Sequence, residues 1–331
     1  METKMRFLKS LLCASVTVAA LAGLPAHAAD SNWPHAKPFR VVVPYPAGGS
    51  ADILGRLVAK KLSENLGNNA VVENIAGGGT IPAALSVLKD KADGYTLFVA
   101  SDNTLNINNF LLKEPRYDGD KDFTSVTVLN TYAHWLIVNK DSPFNSMDDL
   151  KKFIIDNPNK ASISVNTIGG AAYLALDKWK KENKLDFEII PYRGSPPAVS
   201  DLIGGITTAH IDVAGSSMSY YEGGKVKPLA VLQSQPLKKF PSIQTQSYDD
   251  PKALTVKSNL SVVVKNGTPP EILEKLYQAL KKGEHDKDFT DALNLFAYEA
   301  VLTPPAESRK FILEETQRYK ELVEASGLEK Q

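Results

Sequence analysis

Apolar positions along the chain alternate between two patterns. Short continuous runs bounded by Pro and Gly read as buried strands, and stretches with apolar residues at i, i+3 and i+4 read as helices. Phe39-Arg40-Val41-Val42-Val43 is such a run, and Ile53, Leu54, Leu57, Val58 and Leu62 behind it have helical spacing. Between them lies Pro44-Tyr45-Pro46-Ala47-Gly48-Gly49-Ser50-Ala51-Asp52, a strand-to-helix turn. Two more units follow. A strand at 70–73 runs into Asn74-Ile75-Ala76-Gly77-Gly78-Gly79-Thr80 and a helix with Leu85, Val87 and Leu88. A strand at 95–100 runs into Ser101-Asp102-Asn103-Thr104, rich in helix-capping side chains. Polar or Gly-rich loops thus stand at the carboxyl ends of successive strands, the edge at which open α/β sheets bind ligands.

The alternation continues to the C-terminus. Residues 135–138 form another apolar strand and a candidate crossover to a second domain. A helix near 147–155, a strand at 162–165, the loop Asn166-Thr167-Ile168-Gly169-Gly170-Ala171 and a helix with Leu174, Leu176 and Trp179 follow. The next strand ends in Tyr192-Arg193-Gly194-Ser195, where Pro196-Pro197 suits a helix start. A strand at 211–214 precedes Gly215-Ser216-Ser217, residues 229–232 are a candidate return crossover, and the strand at 260–264 with three helical patterns rejoins the first domain. The pattern predicts an α/β protein with largely parallel sheets. A chain of 331 residues exceeds one compact core, so two domains are expected: 29–134 with 232–331, and 135–231.

The first loop is a candidate anion cradle. Adjacent glycines let backbone N–H groups turn toward one point. Ser50 suits a helix N-cap, and the first helical turn leaves unpaired N–H groups at the positive end of the dipole. An ordinary Gly-rich turn that binds nothing is the alternative. Ser50 with Asp52 is the nearest approach to a catalytic pair, but a cap and a first-turn acid explain both without chemistry. Arg193 could pair with a ligand carboxylate or equally with a surface acid.

Residues 1–28 read as an export leader. Lys4, Arg6 and Lys9 precede an apolar stretch too short to span a bilayer, and Ala26-His27-Ala28 supplies the small-x-small cleavage pattern. Cys13 lies inside it, so the mature chain is expected to carry no thiol or disulfide. Three basic residues and one acid leave with the leader, and the formal charge falls from 0 to −2. That balance argues against a nucleic-acid partner. The mature histidines, His35, His134, His210 and His285, show no ligand spacing, so no metal is expected. No G-x-S-x-G elbow or Walker loop occurs, and neither a catalytic residue nor a cofactor is assigned.

Taken together, Val43-Pro44-Tyr45-Pro46-Ala47-Gly48-Gly49-Ser50-Ala51-Asp52-Ile53-Leu54-Gly55-Arg56, Val72-Glu73-Asn74, Asp93-Gly94-Tyr95-Thr96-Leu97, Lys121-Asp122-Phe123-Thr124, Tyr192-Arg193-Gly194-Ser195-Pro196-Pro197-Ala198 and Asp201-Leu202-Ile203-Gly204-Gly205 resemble the motifs of the Bug/TctC family. These are extracytoplasmic solute receptors of tripartite tricarboxylate transporters. The resemblance implies a periplasmic-binding-protein-like fold of type II, with two α/β domains joined by crossover strands around a ligand cleft. It implies a non-enzymatic, monomeric receptor in the periplasm that closes on a small carboxylate and delivers it to membrane components. The alternative is a ligand-dependent co-receptor for a sensor kinase. Carried over, the ligand residues are Tyr45, Ala47, Gly48, Gly49, Ser50, Asp52, Ser101, Asn103, Thr167 and Gly170. Departures include Ala51 for a usual threonine, Tyr173 for a common histidine, and Asp102, an acid where the cleft should hold an anion. Asp102 reads either as a helix cap or as a selector for ligands that carry a donor group.

Overall fold

The computed structural model describes residues 32–295 and 298–330. The expected leader, Cys13 included, lies outside the described residues. In chain order the elements are β1 (Phe39–Val43), α1 (Ser50–Leu66), β2 (Ala70–Asn74), α2 (Ile81–Lys89), β3 (Thr96–Ser101), α3 (Asn108–Leu111), β4 (Phe123–Tyr132), β5 (His134–Asn139), α4 (Met147–Asp156) and β6 (Ser162–Val165). Then come α5 (Ala171–Glu182), β7 (Glu188–Pro191), α6 (Ser195–Ile203), β8 (Ala209–Val213), α7 (Ala214–Glu222), β9 (Val226–Val231), β10 (Asn259–Lys265), α8 (Pro270–Lys281), α9 (Lys287–Leu295), β11 (Tyr298–Ala300) and α10 (Pro305–Ser326).

The strands build two mixed sheets, ordered β11-β4-β10-β3-β1-β2 and β7-β6-β8-β5-β9. In the first, β1 runs parallel to β2 and β3 while β10 runs antiparallel to β3 and β4. In the second, β6 is parallel to β7 and β8, and β5 is antiparallel to its neighbours. The apolar run of β3 is continuous rather than alternating because both its faces are covered. Leu97 and Val99 pack with Leu54, Val58 and Leu62 of α1, whereas Phe98 and Ala100 pack with Ala83, Ala84 and Val87 of α2. The second sheet is covered likewise, by Leu150, Ile154, Leu176 and Trp179 on one side and by Val199, Leu202 and Met218 on the other.

Residues 135–138 lie inside β5, and Ala133 alone separates that strand from β4 of the other sheet. Residues 229–231 end β9, but the chain does not cross straight back. Leu254 and Val256 still pack on the second core, and the Val256 N–H donates to the Leu232 carbonyl at 2.8 Å. Two strands escaped the apolar pattern. β4 carries buried Ser125, Thr127 and Asn130, and its polar groups meet the C-terminal segment: the Val128 N–H reaches Ser308 Oγ at 2.9 Å and the Thr127 hydroxyl the Thr303 carbonyl at 2.9 Å. β11 is three residues long. Gly215, Ser216 and Ser217 lie in the first turn of α7, which Ala214 opens.

α10 touches both domains. Asn106 Nδ2 donates to the Ile312 carbonyl at 3.1 Å, while Tyr319 and Val323 share a buried cluster with Ile107, Leu111 and Leu174 of α5.

Candidate functional site

The first loop leaves β1 with Ala47, Gly48 and Gly49 exposed and Tyr45 and Ser50 half-buried. Tyr45 donates its hydroxyl to Ser101 Oγ at 2.8 Å, and burial raises its pKa well above the phenol range, so it stays a neutral donor. Gly48 has φ +83°, a left-handed conformation that a β-branched residue resists. The N-cap of α1 is Gly49, with no side-chain cap, which corrects the expected Ser50 cap. Ser50 is the first helical residue, and its Oγ accepts from the Tyr298 hydroxyl at 2.7 Å.

Asp52 turns inward. Its Oδ2 accepts from the Gly48 N–H at 2.9 Å and Arg56 Nε at 3.0 Å, and its Oδ1 from Asn74 Nδ2 at 3.0 Å. Burial acts to raise this carboxyl, but the Gly48, Arg56 and Asn74 bonds outweigh it and hold the pKa below the ordinary value. Asp52 therefore shapes the loop, and the Gly48 N–H is already engaged.

At the end of β3, Ser101 is buried and Asn103 half-buried. Behind them Thr104 donates to Thr80 Oγ1 at 2.8 Å, and Asn108 Nδ2 donates to the Gly79 carbonyl at 2.8 Å. Thr80 continues the left-handed run of Gly77, Gly78 and Gly79, which explains the glycines before it. The Asp102 carboxylate accepts from the Asn103 N–H at 3.0 Å and stands 2.8 Å from the Tyr319 hydroxyl. Burial pushes it up to about 6, against the hydrogen bonds from Tyr319, Ser258 and the Asn103 N–H.

In the second domain Thr167 is exposed, and buried Gly170 is the N-cap of α5, again without a side-chain cap. A Cβ on Gly170 would fall 2.5 Å from Thr167 Cγ2 and 3.6 Å from Asn103 Oδ1; one on Gly169 would fall 2.4 Å from Leu111 Cδ1. This loop therefore presses on the first domain. The Arg193 guanidinium is exposed and forms no ion pair among the described residues. Its neighbour Gly194 donates to the Asn166 carbonyl at 3.1 Å, which brings the two loops side by side.

The fold thus gathers Tyr45 with Ser101, and Asn103 with Thr167 and Gly170. Sequence reasoning missed Tyr298, Asn166, Ser195 and Asp212. An acid set inside the strand pattern of β8, between Ile211 and Val213, was a usable signal for Asp212; Tyr298 had none, its strand being too short to show a period.

The helix starts differ in how they are capped. α4 is capped by Ser146, whose Oγ accepts from the Asp149 N–H at 3.1 Å. α1 and α5 start at the loops on glycine, leaving first-turn N–H groups without a side-chain acceptor and open to an anion. Ser195 Oγ donates to Asp212 rather than to a histidine, with His210 Nε2 at 3.9 Å on the far oxygen, so the trio lacks a nucleophile–base bond. Among the described residues no His, Cys, Asp or Glu cluster could hold a metal. A cavity of about 300 Å³ opens beside the joint between the sheets, lined by Tyr132, Ala133, Leu237 and Tyr298, and none of the expected ligand residues lines it.

The family model described as tripartite tricarboxylate transporter family receptor matches residues 54–328. Protein BugT of Bordetella pertussis is 28% identical over 309 residues, covering 93% of this chain and 94% of that one. A solved structure of a periplasmic transporter superposes with a TM-score of 0.80 at 29% identity, over 90% of this chain and 100% of the other. A protein of R. palustris solved with adipate gives 0.79 at 27% identity, over 89% and 98%.

Proposed function

The chain belongs to the tripartite tricarboxylate transporter receptor family, and from that premise we propose that it captures a small carboxylate in the periplasm and hands it to membrane transport components. One observation carries the proposal: a helix from each domain begins at the cleft on an uncapped glycine, Gly49 for α1 and Gly170 for α5. Two sets of free N–H groups at positive helix ends suit one carboxylate each, or the two oxygens of one. The adipate held by the R. palustris relative is a ligand of that kind.

Tyr45, Ala47, Gly49, Ser50, Ser101 and Asn103 form one wall, and Thr167, Gly170 and Arg193 the other; Gly48 and Asp52 shape the loop. The two domains, one built on each sheet and with Leu232, Leu254 and Val256 belonging to the second, swing about the joint at Ala133, and a ligand touching both favours the closed form. The protein works as an exported monomer without cofactor or chemical conversion.

A thermal-shift screen over mono-, di- and tricarboxylates tests this. A ligand at a hundredfold its Kd stabilises by about 2.7 kcal/mol, a plain upward shift. A flat response across the whole set would remove the carboxylate.

A further inference from the structure

Asp52 has a counterpart in the second domain. Asp212 is fully buried at the end of β8, as Asp52 is buried behind β1. Each accepts from the asparagine that closes the neighbouring parallel strand: Asn74 Nδ2 meets Asp52 Oδ1 at 3.0 Å, and Asn166 Nδ2 meets Asp212 Oδ1 at 2.7 Å. Each also holds the loop in front of a helix whose N-cap is a glycine. Asp52 Oδ2 takes the Gly48 N–H beside Gly49, and Asp212 Oδ2 takes the Ser195 hydroxyl at 2.5 Å beside Gly194. A third donor, the Val213 N–H, reaches Asp212 Oδ1 at 2.9 Å.

The two differ in compensation. Asp52 has the Arg56 guanidinium, whereas Asp212 has only neutral donors and His210 at 3.9 Å, a ring that burial keeps neutral. Three converging donors call for a group that only accepts, and an ionised carboxylate meets that need where an amide would turn an NH2 toward one of them.

We propose that Asp212 is the positioning residue of the second wall of the cleft, fixing the loops 166–170 and 193–195 to each other through one carboxylate. This rests on reading Thr167 and Gly170 as ligand contacts. Ser195 gives Asp212 its hydroxyl proton and Asn166 one of its two amide N–H donors, so a single carboxylate anchors both loops. The same link reaches the other domain, since Gly170 ends the loop that abuts Asn103.

Hydrogen exchange read by mass spectrometry on the ligand-free chain tests the proposal without needing a ligand. In Asp212→Asn, exchange should rise roughly tenfold, the size of a lost charge-assisted hydrogen bond, in 166–172 and 193–196, with β6 and β8 unchanged. Ser195→Ala, which keeps the carboxylate, should loosen the same peptides less. Adipate titrated into both variants should bind more weakly, with Asp212→Asn the weaker, and the double variant should lose less than the sum of the two. Unchanged loop exchange in both variants overturns the proposal, as does exchange rising equally through β6 and β8. If the loops loosen as stated while no carboxylate binds even the wild-type chain, the positioning role stands and the carboxylate reading fails.

Discussion

The Tyr319 hydroxyl lies 2.8 Å from Asp102 Oδ2 and 2.7 Å from the Lys257 carbonyl, one proton between two acceptors. Protonating Asp102 resolves the conflict, because the acid then donates to Tyr319 while Tyr319 donates to Lys257. That geometry agrees with a carboxyl pushed by burial up to about 6.

The stability consequence has a definite sign. The folded chain holds this proton more tightly than the unfolded chain, so the Asp102 contribution is full below about pH 4 and is lost as pH rises through about 6. Asp102→Asn can donate to Tyr319 at every pH. Relative to wild type it should gain on the order of 2 kcal/mol between pH 4 and pH 7, measured by urea unfolding at several pH values. A difference that stays flat would refute the proton assignment. Ligand preference should not change, because the carboxylate turns toward α10 and serves the Asn103 N–H rather than a bound anion.

Gly49 should separate stability from binding. Its φ of −78° and ψ of 169° accept serine, and a serine there would cap α1. Gly49→Ser should therefore leave stability equal or a few tenths of a kcal/mol higher. Its hydroxyl would occupy first-turn N–H groups and weaken carboxylate binding about fivefold or more, as for one lost hydrogen bond. Binding as tight as wild type would take the α1 N-terminus out of the site. Gly48 contrasts: nothing lies within 4 Å of an added Cβ, so Gly48→Val fails through its φ of +83° alone, losing both the Asp52 bond and the ligand.

Closure should depend on Gly169. At φ +68°, an alanine there is strained and also strikes Leu111 across the domain boundary. Small-angle scattering of the wild-type chain should give a smaller radius of gyration with saturating ligand, and Gly169→Ala should compact less. Identical profiles with and without ligand in the wild type would count against hinge motion.

The apolar runs made β1, β3, β5 and the second-domain strands legible, because buried strands leave few polar residues to blur the period. β4 was not legible: buried Ser125, Thr127 and Asn130 interrupt its apolar run, and the Thr127 hydroxyl and Val128 N–H find their partners at residues 303 and 308, a pairing no local window contains. In the site, the glycine loops could be read from composition. What could not be read was the direction of the acids within them. Asp52, expected among the ligand residues, has its carboxylate on Asn74 and Arg56, and Asp102 faces Tyr319 from 217 residues away. Side-chain direction there is set by partners distant in sequence.

The most direct measurement is a calorimetric titration of the leader-free chain with adipate, shorter dicarboxylates and monocarboxylates, each beside its neutral methyl ester. If uncapped helix starts hold the anion, at least one acid binds with one-to-one stoichiometry and its ester, without the charge the N–H groups and dipoles recognise, does not. Esters binding as tightly as their acids, or no binding by any acid, would contradict it.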